Sequence, residues 1–184
     1  MLNKDMSKVD IEKELEKMGD YVKIDYLDRL IKDKNLPLDK RKFAYIKLSE
    51  IYDKKGMFIE AAKMANNTAL MTLIIAEKVK YHVREAEMYV KAGTFERVDE
   101  ALKKAMGEVV PDRDKQNIYV QIKEFYKIQA EAHAKSNKRN NAVKIYEKLL
   151  QMKISDEERA AIKQKLIGLY ESTGRLKEYF AMKK

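Results

Sequence analysis

The sequence predicts an all-α protein made of repeated helical hairpins. Three observations lead to this fold class. Glycine and proline are rare, at 6 and 2 of 184 residues, which disfavours sandwiches and barrels with many tight turns. The remaining composition is rich in Ala, Leu, Lys, Glu and Met, which all favour helices. A short motif also recurs five times, at a spacing typical of a helical solenoid.

The recurring motif is a glycine or asparagine between two amphipathic stretches, with a large side chain four residues before it. The hinge residues are Gly19, Gly56, Gly93, Asn137 and Gly174, at spacings of 37, 37, 44 and 37 residues. The large residues before them are Leu15, Tyr52, Tyr89, His133 and Tyr170. Gly and Asn accept the left-handed conformation that ends a helix and turns the chain back. Each motif therefore predicts one hairpin of two antiparallel helices.

The hinges divide the chain into ten helices within one domain, residues 1–184. The predicted helices are 5–18, 20–34, 39–55, 57–76, 79–92, 94–107, 114–136, 138–152 and two within 155–184. The repeats are therefore approximately 5–38, 39–77, 78–111, 112–154 and 155–184. Asp39 and Ser155 are expected N-caps, the second in a capping box with Glu158. We expect the longest apolar run, Ala69–Ala76, to lie in a buried helix.

The motif resembles tetratricopeptide repeats and the wider group of SNAP-type helical hairpins. The stretch Glu85–Ala105, with Tyr89, Gly93, Phe95 and Val98, carries the resemblance most clearly, and it extends over nearly the whole chain. The period is longer than the ~34 residues of that family. Its usual tryptophan position holds Lys8, Tyr45, His82, Tyr126 and Lys163. The resemblance implies a right-handed superhelix (α-solenoid) of about five hairpins that serves as a protein-interaction scaffold.

The resemblance also implies a concave groove lined by the first helix of each hairpin. It places three carboxylates, those of Glu50, Glu87 and Glu131, in a row along that groove. We expect the groove to bind a helix or an extended segment of a protein that carries basic residues. The expected groove residues are Phe43, Ile46, Glu50, Asp53, Val83, Glu87, Val90, Lys127 and Glu131.

The last third of the chain is basic and suggests an alternative function. Residues 135–184 hold 13 Lys and Arg against 6 Asp and Glu, whereas the whole chain carries a formal charge of +9. Such a surface can bind the phosphates of RNA, which makes an RNA-binding helical repeat the alternative. It can equally be a solvated exterior. The surface consists of Lys138, Arg139, Lys144, Lys148, Lys163, Lys165, Arg175 and Lys177.

No residue pattern predicts catalysis. The chain has no cysteine, which excludes a disulfide framework, a thiolate zinc site and a cysteine nucleophile. Its two histidines, His82 and His133, stand where the repeat normally has a packing aromatic residue, so we expect both to pack between helices. Metalloprotease and phosphate-loop motifs do not occur. We therefore predict a protein that is not an enzyme and has no catalytic residue, metal or cofactor.

Location and assembly follow from the same sequence. The charged start MLNKDMSKVD lacks an apolar core, and no run approaches the ~20 apolar residues of a membrane span. We therefore expect a cytoplasmic protein without a membrane span. The ends of a solenoid expose apolar faces unless they are capped, which gives this chain a route to homo-oligomers through its terminal hairpins.

Overall fold

The computed structural model describes residues 6–183, which form ten α-helices and no strand. The helices are α1 (Lys8–Glu16), α2 (Asp20–Lys32), α3 (Leu38–Lys54), α4 (Phe58–Leu70), α5 (Ile75–Ala92), α6 (Phe95–Gly107), α7 (Asp112–Lys135), α8 (Arg139–Gln151), α9 (Asp156–Ser172) and α10 (Leu176–Lys183). The predicted all-α solenoid is confirmed. The predicted first helix began at residue 5, which lies outside the described residues.

Four hinges adopt the left-handed conformation that the sequence predicts. Their φ angles are +74° at Gly56, +72° at Gly93, +57° at Asn137 and +72° at Gly174. At each one, the amide after the hinge donates to the carbonyl of the residue four before it, which closes a Schellman motif. These hydrogen bonds are Met57 to Tyr52, Thr94 to Tyr89, Lys138 to His133 and Arg175 to Tyr170, at 2.8–3.1 Å.

The first hinge differs from the other four. Gly19 has φ −69° and ψ 153°, an extended conformation, and acts as the N-cap of α2. The last turn of α1 is closed earlier, because Lys17 and Met18 donate to the carbonyls of Glu14 and Leu15. The expectation of a left-handed Gly19 is therefore wrong. Tyr21, two residues after this hinge, is 72% exposed.

The apolar run at 69–76 is a corner between two helices, so the expectation of a buried helix is wrong. The helix α4 ends at Leu70, and α5 begins at Ile75. The hydroxyl of Thr72 donates to the carbonyl of Thr68 at 2.7 Å, so a side chain satisfies a carbonyl at the end of α4. As a result, Leu73 projects from the corner and is 98% exposed.

The helix caps are placed partly as predicted. Ser155 and Glu158 form the capping box at the start of α9, with both reciprocal hydrogen bonds present. In contrast, the N-cap of α3 is Pro37, and Asp39 lies within the first turn. An acidic side chain there still favours the positive end of the helix dipole.

The first helices of successive hairpins, α1, α3, α5, α7 and α9, form one row. Ion pairs between neighbours fix their direction, because Lys8 and Glu12 of α1 meet Asp39 and Lys47 of α3 in the same order along the chain. The second helices pack between them and bury small residues, among them Ala61, Ala62, Ala65 and Ala69 of α4. The core is therefore continuous from hairpin to hairpin, and the row of first helices forms the surface on which the candidate site lies.

Candidate functional site

A cleft of about 640 Å³ opens among α3, α5 and the start of α7. It exists because the residues beneath it are small. Ser49 of α3 and Ala65 and Thr68 of α4 leave space between the longer side chains on either side, and Ala76 of α5 lies exposed on the rim. The apolar residues that line it are Ile46, Val79, Val83 and Ile118. We call this space the inner cleft.

The floor of the inner cleft is chemically apolar despite its hydroxyl groups. The Ser49 hydroxyl donates to the carbonyl of Ala61 at 3.0 Å, and the Thr68 hydroxyl donates to the carbonyl of Met64 at 2.8 Å. Both donors are thus used within the fold. A bound group therefore meets mainly methyl and methylene surface at the floor.

The rim of the inner cleft carries charges of both signs. Glu87 accepts from Arg84 at 3.3 Å, and Arg84 also contacts Asp53 of α3. Glu50 is the least engaged carboxylate, because its nearest cation, Lys47, is 3.8 Å away and its side chain is 59% exposed. The remaining rim residues are Lys80, Tyr81 and Gln121. Burial raises the pKa of Tyr81, so this phenol stays neutral at physiological pH.

The structure brings together four of the nine expected groove residues: Ile46, Glu50, Val83 and Glu87. Asp53 lies beside them but is bound by Arg84 and by Lys91, the latter at 2.6 Å. Phe43 is half-buried against the core, with the Lys47 ammonium 5.6 Å from its ring centroid. Val90 is fully buried and therefore lies beneath the surface.

The last two expected groove residues, Lys127 and Glu131, lie elsewhere. They line a smaller cleft of about 200 Å³ between α7 and α9. Lys127 binds Glu158 at 2.6 Å, and Glu131 binds Lys165 at 2.5 Å. The Lys165 ammonium lowers the pKa of Glu131. Bonds from Lys127, the Ser155 amide and Lys123 lower the pKa of Glu158 to about 2.

The three predicted carboxylates are therefore each neutralised to a different degree, and the groove has mixed charge. Sequence reasoning missed Lys47 and Arg84 and assigned Lys165 to the basic surface, although a signal for all three was present. Lys47, Arg84 and Lys165 all stand nine residues before a hinge, which places them on one face of successive first helices. It also missed Ile118 and Gln121, and of these only Ile118 lies in the additional turns of α7, residues 112–118.

The expected basic surface is only partly available. Lys148 binds Asp99 at 2.8 Å, Lys165 binds Glu131, and Arg175 binds Glu147 and Glu178 at 3.1 and 2.7 Å. The other five expected residues form no ion pair within the described part of the chain. These five, all exposed, are Lys138, Arg139, Lys144, Lys163 and Lys177.

The two histidines have different surroundings. His82 is 2% exposed, and its Nδ1 lies 3.1 Å from the Oε2 of Glu85, which is itself buried. The other carboxylate oxygen of Glu85 accepts from Lys104 at 2.9 Å, and Lys104 also donates to Asn66 at 3.0 Å. His133 is half-buried, and its pKa is lowered by burial and by Lys138. The His82 ring is therefore buried, whereas the His133 ring is half-buried.

Within residues 6–183, the His, Asp and Glu side chains form no group of three or more that could hold a metal ion. None of the helices there is both long and apolar enough to cross a bilayer. The cytoplasmic location stays a prediction.

Comparison with known proteins gives one match. Residues 29–182 match the model of a family described as the SusR N-terminal TPR domain. No curated protein and no solved structure gives a significant match. The matched range begins in α2 and includes the four hairpins from α3 onward, so the inner cleft lies entirely within it. The tetratricopeptide resemblance predicted from the hinge pattern is confirmed.

Proposed function

This chain belongs to the family of SusR N-terminal TPR domains, and from this premise we propose that it is a non-catalytic interaction module that binds a segment of a partner protein in the inner cleft. Tetratricopeptide domains are in general protein-interaction scaffolds. The proposal adds the place of binding and the chemistry of the bound segment.

The observation that carries the proposal is the apolar floor of the inner cleft. A protein-binding pocket needs apolar surface that a partner can desolvate, with a few polar groups that orient it. The apolar surface comes from Ile46, Val79 and Ile118. Among the polar groups that could orient a partner, Glu50 is the best placed. The smaller cleft between α7 and α9 suits binding less well, because Lys127 and Glu131 are already held in ion pairs.

The bound segment is expected to combine an apolar anchor with a cation. An aliphatic or aromatic side chain of the partner would fill the space above Ala65 and Thr68. A Lys or Arg near it would lie beside Glu50, which has the weakest internal partner of the rim carboxylates. A purely basic peptide is not favoured, because Lys80 and Arg84 would repel it.

Site-specific crosslinking tests the place of binding. A photo-reactive phenylalanine analogue is placed at Ala76, an exposed alanine on the rim, and separately at Ala160, an exposed alanine on α9 outside the cleft. After irradiation in the native host, mass spectrometry identifies the captured peptides. We expect one partner segment from position 76 and not from position 160. Equal capture from both positions would refute the cleft as the binding site.

Substitutions then test the chemistry with the segment that crosslinking identifies. Ala76→Arg should weaken binding at least tenfold by filling the cleft, and Glu50→Lys by about fivefold through charge reversal at an exposed pair. Ala160→Arg serves as the matched control and should leave the dissociation constant unchanged. Calorimetry measures all three. Binding that withstands both cleft substitutions would show that the segment docks elsewhere.

RNA binding remains the second candidate, supported by the five exposed cations without an ion pair. It predicts that nucleic acid co-purifies with the protein and that affinity falls steeply with salt. Changing Lys138, Lys144 and Lys163 together to Gln should then abolish a gel shift seen at low salt. If the wild-type chain gives no gel shift under those conditions, this candidate fails.

A further inference from the structure

One edge of the solenoid exposes an apolar strip that neither the fold nor the inner cleft uses. It lies where hairpins join, at the starts of α3, α5 and α7. Leu73 is 98% exposed, and the other members range from 56% to 88%. The strip, called here the apolar edge, consists of Leu38, Leu70, Leu73, Ile74, Ile75 and Val110.

Ion pairs place these residues along one edge. Lys42 of α3 binds Glu77 of α5 at 2.7 Å, so the starts of these two parallel helices, with Leu38 and Ile75, lie side by side. Lys78 binds Glu108 at 2.6 Å, which brings the start of α5 next to the segment that leads into α7. Val110 lies in that segment and extends the strip beyond the α4–α5 corner.

The size of the apolar edge matches what association of two proteins requires. Given their exposed fractions, the six side chains present roughly 750 Å² to solvent, close to the ~800 Å² that each partner buries in an interface of standard size. A single monomer seldom exposes more than ~300–600 Å² of contiguous apolar surface unless that surface binds something. The strip is therefore large enough to support a dimer.

The charges at the two ends of the strip indicate which partner fits. At the α3 end, residues 33–42 hold four basic and two acidic residues. At the α7 end, residues 107–115 hold three acidic and two basic residues. Lys78 already neutralises Glu108, so the carboxylates that remain at the α7 end are Asp112 and Asp114. A two-fold axis through the α4–α5 corner would bring Lys34 of one copy toward them. An anionic lipid surface fits less well, because the α7 end would be repelled.

We propose that the apolar edge is the contact between two copies of this chain, which pack antiparallel about a two-fold axis near Leu73. None of the six residues of the apolar edge lines the inner cleft, although Ile75 adjoins Ala76 on its rim. The proposal differs from stacking through the terminal hairpins, which would use α1, α2 and α10 instead.

Sedimentation of the full chain over a range of concentrations tests the proposal. The wild-type chain should approach twice its 21.6 kDa mass as its concentration rises. Leu73→Asp should weaken association at least a hundredfold, since the change occurs on both sides of the dyad and each buried Leu contributes ~1.5 kcal/mol or more. The fold should survive, because Leu73 touches little else, and circular dichroism checks this. The matched control is Leu176→Asp, which changes a 57% exposed leucine of the terminal hairpin and should leave the dimer intact.

A charge-swap experiment tests the antiparallel arrangement. Lys34→Glu alone, or Asp112→Lys alone, should weaken the dimer about fivefold, because like charges then meet at both ends. An equimolar mixture of the two variants should recover wild-type association, since each altered end now meets its complement. In a parallel arrangement like charges already meet at both ends of the wild-type dimer, so neither single variant would weaken it, and the mixture would associate more tightly than the wild type.

Several outcomes would overturn the proposal. These are a wild-type chain that stays monomeric at every concentration, dissociation by Leu176→Asp in place of Leu73→Asp, and a mixture of charge variants that does not reassociate. Co-sedimentation of a monomeric wild-type chain with phosphatidylserine vesicles, lost in Leu73→Asp, would instead assign the apolar edge to a lipid surface.

Discussion

The first and third hairpins have the same motif and fold it differently. In α5–α6, Gly93 is left-handed and caps a helix that buries seven residues. In α1–α2, Gly19 is extended and follows a helix that buries two, Ile11 and Leu15. The glycine alone therefore does not determine the shape of the turn.

The two hairpins differ in whether another hairpin precedes them in the described structure. The large residue before a left-handed hinge packs back on the preceding second helix: Tyr52 donates to Asp28 of α2 at 3.3 Å, and Tyr170 donates to Glu147 of α8 at 2.9 Å. The last hairpin has such a predecessor and forms a left-handed Gly174, although it too is terminal. Within residues 6–183, α1 has no helix before it. Two of the four left-handed hinges, Gly56 and Gly174, are thus stabilised by a hydrogen bond to the hairpin before them.

The largest difference in stability between the third and first hairpins should come from the aromatic residue two positions after the hinge. Phe95→Ala should lower the free energy of unfolding by about 2–3 kcal/mol, because its half-buried ring packs 5.8 Å from the ring of Tyr126. Tyr21→Ala should lower it by less than about 1 kcal/mol, since this ring is exposed and its recorded contact is the Lys55 ammonium at 5.0 Å. Urea titration measures both. Equal losses would contradict the view that the first hairpin lacks a packed hinge.

The hairpins also differ in the residue type eight positions before the hinge. Ile11, Leu48 and Leu166 are buried there, whereas the third hairpin has Glu85, held by His82 and Lys104. Glu85→Ala should cost about 2 kcal/mol, because it removes charge-assisted hydrogen bonds and leaves His82 without its partner.

The control for Glu85→Ala is Glu85→Leu, which keeps a side chain of similar size at this position. Glu85→Leu introduces the aliphatic residue type of the first, second and fifth hairpins, and Lys104, whose side chain is 43% exposed, can turn to solvent. His82 loses its partner in this variant too, so the free energy of unfolding should fall by about 1 kcal/mol, which is less than in Glu85→Ala because the leucine fills the space that alanine leaves empty. Thermal unfolding of both variants at pH 7 measures the difference. A Glu85→Leu variant as unstable as Glu85→Ala would mean that the polar network itself holds the hairpin together.

Most of the fold could be predicted because its turns depend on local chemistry. A left-handed helix terminus requires Gly or Asn, and the 37-residue spacing of these residues is visible in the sequence. The corner at Leu73 could not be predicted, because an aliphatic run satisfies a buried helix and an exposed corner equally well. Which one forms depends on the side-chain bond of Thr72 and on the neighbouring hairpins.

The candidate site was predictable only where it follows the repeat register. Ile46 and Val83 stand ten residues before their hinges, and Glu50 and Glu87 stand six before, so one helical face predicts all four. Glu50 and Glu87 have cations three residues away on their own helices, Lys47 and Arg84, which the sequence already shows. The pair of Glu131 with Lys165 joins two hairpins and appears only when their stacking is known.

The smallest change in the free energy of unfolding is expected when the two hinge glycines, Gly93 and Gly19, are replaced by alanine. Gly93→Ala should cost about 1–2 kcal/mol, because alanine at φ +72° is strained even though no atom lies within 4 Å of the added methyl group. Gly19→Ala should be neutral or stabilise by up to ~1 kcal/mol, since φ −69° suits alanine and the unfolded chain loses freedom. Amide exchange at Thr94 and Lys23 would localise each effect to its own turn. If Gly19→Ala proved as costly as Gly93→Ala, Gly19 would need a left-handed state in solution, and the two hairpins would no longer differ in the way their turns are built.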